Sequence, residues 1–150
     1  MSWSARLAEL GLALPPVAAP AGVYLPAVRS GSLVFTSGQL PLVDGVLAAT
    51  GKLGAEIDPE QGRQLARTCA LNALAAVDDL VGLDAVVRVV KVVGFVASAP
   101  GFTAQPAVIN GASALLGELF GAAGAHARSA VGVAELPLSA PVEVELIVEV

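Results

Sequence analysis

Val142-Glu143-Val144-Glu145-Leu146-Ile147-Val148-Glu149-Val150 alternates with a period of two. Successive side chains leave a strand on opposite sides, so this run reads as a β-strand with one face on a core and the other turned away. Val144, Leu146, Val148 and Val150 fall on the core face, and Glu143, Glu145, Ile147 and Glu149 on the other. A one-sided core needs a covering layer, and two segments have the helical period to supply it. The first opens with Asp58 as N-cap, Pro59 at the first position and Gln61 where a capping box places Glu or Gln. Leu65, Cys69, Ala73, Val77 and Leu80 then recur at helical spacing until Gly82. The second opens at Pro106, carries a stripe of Val108, Ala112, Leu115 and Leu119 widened by Ile109, Leu116 and Phe120, and stops at Gly121 and Gly124.

Val86 to Val96 is rich in β-branched residues and reads as a strand buried on most of both faces. Val23–Val28 and Leu33–Ser37 are strand-like and joined by Arg29-Ser30-Gly31-Ser32, a hairpin signal. Ser37-Gly38-Gln39-Leu40-Pro41 then leaves the strand, and Asp44-Gly45 marks a further turn. Arg128 to Val133 is strand-like, and Leu136-Pro137-Leu138 turns the chain. At the start, Ser2 to Leu12 reads as a short amphipathic helix capped by Ser2 or Ser4, with Trp3, Leu7 and Leu10 on one side. Leu14-Pro15-Pro16 ends it, and the chain runs extended to Pro20. The order β-β-(β)-α-β-α-β-β predicts an α+β domain over residues 21–150, one mixed sheet with two helices on a single face, preceded by an N-terminal helix and extended segment over residues 1–20.

Apolar residues make up 55% of the chain and charged ones 14%, with a mean hydropathy of +0.76. That is too little charge to cover a monomer, so part of the apolar surface is expected to lie between subunits. The uncharged stretch between Lys91 and Glu118 is long enough for a bilayer, but Pro100, Gly101, Gln105, Pro106 and Asn110 interrupt it and a membrane role is not expected. Met1 to Leu14 holds Arg6 and Glu9 on a helical pattern and lacks the layout of a signal peptide, which points to the cytoplasm. With Cys69 the lone cysteine and His126 the lone histidine, neither a disulfide within the chain nor a metal site is expected. A net charge of −5 with scattered basic residues argues against nucleic acid as the main partner.

Six motifs carry a resemblance: Gly22-Val23-Tyr24, Thr36-Ser37-Gly38-Gln39-Leu40-Pro41, Asn110, Ala127-Arg128-Ser129-Ala130-Val131, Leu136-Pro137 and Val142-Glu143-Val144-Glu145. In this order and at this spacing the chain resembles the RidA family, also called YjgF or L-PSP proteins. The resemblance implies a chorismate-mutase-like fold, a homotrimer and clefts between subunits for small carboxylates. It also implies cofactor-free hydrolysis of reactive enamines and imines, of the 2-aminoacrylate type, to 2-keto acids and ammonia.

The residue types suit that chemistry. A guanidinium grips a planar carboxylate through two parallel hydrogen bonds, and Arg128 matches the family's substrate-binding arginine. A carboxylate within reach orients a water and shuttles its proton, and Glu143 matches the family's acidic residue. Tyr24, Asn110, Ser37, Gly38 and the backbone near Ala130 would complete the pocket. Each has a plainer reading: Arg128 as an ion-pair partner, Glu143 as one of several solvated glutamates, Tyr24 as an interface aromatic, Asn110 as a bridge to backbone. Ser37 has no adjacent base in sequence and is read as a hydrogen-bonding residue. His126 is read as structural and Cys69 as an inert core thiol. Ala130 stands where many members carry a cysteine, and the segment before Pro20 is extra. Two other functions fit such a chain: a non-catalytic trimer that senses small carboxylates, and the ribonuclease or translation-inhibitor activity for which some relatives are named.

Overall fold

A computed structural model describes residues 1–150. Its elements run α1 (Trp3–Glu9), β1 (Ala27–Ser30), β2 (Leu33–Thr36), β3 (Leu42–Val43), β4 (Val46–Leu47), α2 (Pro59–Val81), β5 (Arg88–Ala97), α3 (Gln105–Phe120), β6 (Ala127–Val133) and β7 (Val142–Glu149). The main sheet has the order β1-β2-β7-β5-β6, with β5 and β6 parallel and the other pairs antiparallel. The expected mixed sheet with α2 and α3 on one face is present, and β3 and β4 add a small hairpin of their own, turned by Asp44-Gly45 at φ 51° and 78°. Both residues are left-handed, as the commonest two-residue hairpin turn requires.

Local chemistry fixes the helices. Asp58 accepts from the Gln61 amide at 2.8 Å, satisfying one of the donors that a helix start leaves free, and Gly82 closes α2 at φ 85°. On α2 the buried stripe ends at Val77; Leu80, expected within it, is 43% exposed. Every apolar residue expected on the inner face of α3 is buried. α3 and the turn after it are apolar enough to cross a bilayer, yet that inner face belongs to the core formed with α2 and the sheet. The helices approach closely because Gly111 has no Cβ, which would collide with the Arg63 carbonyl of α2.

β7 behaves as its alternation predicts: Val142, Val144, Leu146 and Val148 are buried and the intervening residues half-exposed. β5 has one buried face, not two, its outer residues keeping partial exposure. The first hairpin differs from expectation. The strand starts at Ala27, because Gly22 to Leu25 bends away and Pro26 has no amide to give to a ladder. The turn is tighter too, since Gly31 at φ 62° leaves Arg29 and Ser30 paired with Val34 and Leu33. α1 also ends early, at Glu9, with Gly11 at φ 70° turning the chain just beyond it and before the prolines. Ser2 caps it, its hydroxyl accepting from the Ala5 amide at 3.1 Å. Trp3 docks α1, donating to the Val86 carbonyl at 2.7 Å and meeting Phe120 edge-on at 5.1 Å.

Candidate functional site

β6 aligns Arg128 with Val92 and Ala130 with Gly94 of β5. A Cβ on Gly94 would strike Ile109 of α3, so this row of the sheet faces the helices. Arg128 therefore projects along α3. Its Nη1 donates to Asn110 Oδ1 at 2.7 Å and to Ser113 Oγ at 3.3 Å. A guanidinium has five N–H donors, two of them on Nη1. With both of those engaged, the Nε–H and Nη2 edge stays free, and that edge has the spacing of a carboxylate. Asn110 and Ser113 lie one helical turn apart on α3, so a single helix face anchors the arginine. Ala130 packs its methyl against the core two residues along β6.

Glu143 lies on the other face. It pairs with Phe95, between the fully buried Val142 and Val144, and so points away from the helices. Its carboxyl rests over Gly38, where a Cβ would overlap the Glu143 side chain. Gly38 reaches that place because β2 bulges: Phe35 pairs with Ile147, but the next bridge joins Gln39 to Val144. The Thr36 hydroxyl, accepting from the Leu146 amide at 2.9 Å, fills the gap in the ladder. Burial, reinforced by the charge of Glu145, raises the Glu143 pKa above its usual 4.5, so the proton is held more tightly than by a solvated glutamate.

The Ser37 hydroxyl donates to the Leu25 carbonyl at 2.6 Å, fastening the Tyr24 loop to the end of β2. The Tyr24 hydroxyl accepts from the Ala21 amide at 3.1 Å. Tyr24 and Gly38 line a cleft of about 170 Å³ walled by Ala18, Ala19, Leu40 and Leu138. A larger cleft of about 310 Å³ lies between α1 and the end of α3, around Trp3, Arg6 and Glu118, away from these groups. Cys69 is a buried thiol whose pKa is pushed well up by burial and by the Glu143 charge.

The sequence-predicted residues thus form two groups: Arg128 with Asn110 and Ala130 toward α3, and Glu143 with Gly38, Ser37 and Tyr24 around the open face and the exit of β2. One chain does not bring Arg128 and Glu143 together. Sequence reading missed Ser113, although its place one turn after Asn110 was a signal for a shared partner. It also left His126 without one, whereas the ring lies 2.9 Å from Ser113 Oγ and 2.6 Å from the Gly124 carbonyl.

Comparison with known proteins places the chain. The sequence profile described as Endoribonuclease L-PSP matches residues 16–150. Protein TCP17 of Trypanosoma cruzi is 48% identical over 97% of this chain and 92% of its own length. The crystal structure of a candidate endoribonuclease from Shewanella oneidensis is 34% identical and superposes at a TM-score of 0.96 over 100% of both chains. E. coli TdcF, solved with bound serine, is 28% identical at a TM-score of 0.65, covering 89% of this chain and 93% of its own. In the N-terminal segment the chain thus follows the Shewanella protein. By the profile match over nearly its whole length and by its fold, the chain belongs to the Endoribonuclease L-PSP family, the RidA/YjgF proteins.

Proposed function

We propose that the protein is a cofactor-free deaminase of 2-imino acids and their enamine tautomers, working in clefts where Arg128 of one copy meets Glu143 of the next in a homotrimer. The observation that carries this reading is the Arg128 guanidinium, whose Nη1 is occupied by Asn110 and Ser113 while its Nε/Nη2 edge faces no partner. In the proposed reaction that edge holds the substrate carboxylate with two parallel hydrogen bonds. Glu143 orients a water toward the imine carbon and takes a proton as the C–O bond forms. The same carboxyl returns that proton to the carbinolamine nitrogen; the C–N bond then breaks as the C=O bond forms, the hydroxyl proton passing back to the Glu143 carboxylate, and ammonia and the 2-keto acid remain. An enamine joins this path after protonation at its terminal carbon. The raised pKa of Glu143 suits a group that must both accept and return a proton.

Support for a shared cleft comes from the split of the site and from the apolar residues left exposed on or beside the open face, Val28, Phe35 and Val131 among them. The test is ammonia and 2-keto acid release from imines generated in place by an amino-acid oxidase. Acceleration by the wild type that collapses in Arg128→Ala and Glu143→Gln is expected; no acceleration over spontaneous hydrolysis rejects the reading.

A second reading, a non-catalytic sensor of small carboxylates, is favoured by the serine bound to E. coli TdcF, which presents a carboxylate beside an amine. Binding of amino or keto acids without turnover would select it. The ribonuclease activity in the family's description fits this chain less well, since its net charge is −5 and its basic residues form no stripe.

A further inference from the structure

We infer that Ser113 and His126 are positioning residues that aim the Arg128 guanidinium at the substrate carboxylate; this rests on the reading of Arg128 as the carboxylate-binding group. The hydrogen bonds form one directed chain. His126 Nδ1 lies 2.6 Å from the Gly124 carbonyl, which can only accept, so Nδ1 carries a proton. In the neutral imidazole Nε2 is then the acceptor, and the Ser113 hydroxyl 2.9 Å away donates to it. The Ser113 oxygen is left with lone pairs, and Arg128 Nη1 donates to it at 3.3 Å while its other hydrogen goes to Asn110 at 2.7 Å. Two acceptors on one nitrogen fix the rotation of the guanidinium plane, which a single bond to Asn110 would leave free. His126 decides which way the serine hydroxyl points, and thereby that its oxygen faces the arginine.

Neither residue is placed to react. Both ring nitrogens of His126 are engaged, and none of the main surface clefts is lined by Ser113 or His126. The backbone supports the same arrangement: Gly124 is buried so tightly that a Cβ would strike the Leu116 carbonyl, which holds its own carbonyl in place for the imidazole.

The experiment uses the full-length protein with labelled arginine. In the wild type, ¹⁵N NMR should resolve Nη signals of Arg128 slowed in rotation; Ser113→Ala and His126→Ala should lose them. His126→Gln, which keeps one donor and one acceptor, should retain them. Affinity for pyruvate, a carboxylate probe that needs no turnover, should fall about tenfold in Ser113→Ala and His126→Ala, the scale of one hydrogen bond to a charged group. In imine hydrolysis KM should rise by the same factor with kcat within about twofold, the pattern of lost uniform binding. Unchanged Nη signals in Ser113→Ala, failure of His126→Gln to exceed His126→Ala, or covalent labelling of Ser113 by a fluorophosphonate would each overturn the inference. Loss of the deaminase reading alone would show as pyruvate binding and Nη restraint that persist without turnover.

Discussion

At the scale of single residues the pairing of Glu143 with Gly38 carries the sharpest consequences. Glu143 binds its proton more tightly in the folded chain than in the unfolded one, because burial and the Glu145 charge disfavour the anion. Stability linked to this group is fully present below the ordinary glutamate value of 4.5 and is lost as pH rises through the raised one. Glu143→Gln should therefore melt at a higher temperature than the wild type near pH 7, with the gap closing in acid, while the proposed deaminase activity falls about 100-fold or more. A Cβ on Gly38 would overlap the Glu143 carboxyl, which would have to swing out of its place to admit it. Gly38→Ala should lower the melting temperature of the wild type but not that of Glu143→Ala, a coupling that a double-mutant cycle by calorimetry measures directly. The motif residues around this pair were legible in sequence as a set. Their division between two faces was not, because strand parity becomes a statement about opposite faces only once β6, β5 and β7 are in register.

Among the elements, α3 offers a matched pair of glycines. A Cβ on Gly111 would meet the Arg63 carbonyl where α2 and α3 cross, whereas Gly117 on the same helix has nothing near it. Gly111→Ala should cost about 2 kcal/mol, the scale of overpacking a closely fitted contact. Gly117→Ala should gain about 1 kcal/mol from helix propensity. Urea unfolding reads both as opposite shifts of the midpoint at constant slope. Helix starts and apolar stripes were legible because capping and periodicity are local, as Asp58 with Gln61 and the Val108 to Leu119 stripe demonstrate. Strand limits were less so. The start of β1 depends on how Gly22 to Leu25 folds back, fixed by Ser37 reaching Leu25 and by Tyr24 receiving the Ala21 amide. α1 is held by Trp3 against Val86 and Phe120, partners far along the chain that no window of sequence pairs with it.

For the whole molecule, the decisive fact is that Arg128 and Glu143, the two groups of the candidate site, face opposite ways. Phe35 and Val131 remain 37% and 45% exposed on a sheet face that no helix covers. A surface that must meet a different surface of the next copy makes a heterologous contact, which closes into a ring when the rotation permits. Light scattering should give three times the 14.9 kDa of one chain, and Phe35→Glu with Val131→Glu should reduce both that mass and activity. The proposed trimer also makes a prediction that a site within one chain cannot meet. Arg128→Ala and Glu143→Gln, each inactive alone, should recover activity when unfolded together and refolded as mixed trimers. In a random mixture about a quarter of the clefts receive an intact arginine from one copy and an intact glutamate from its neighbour, so recovery should approach that fraction of wild-type turnover. If each cleft took both groups from a single chain, mixing would yield no cleft with both, and activity would stay at the level of the single variants.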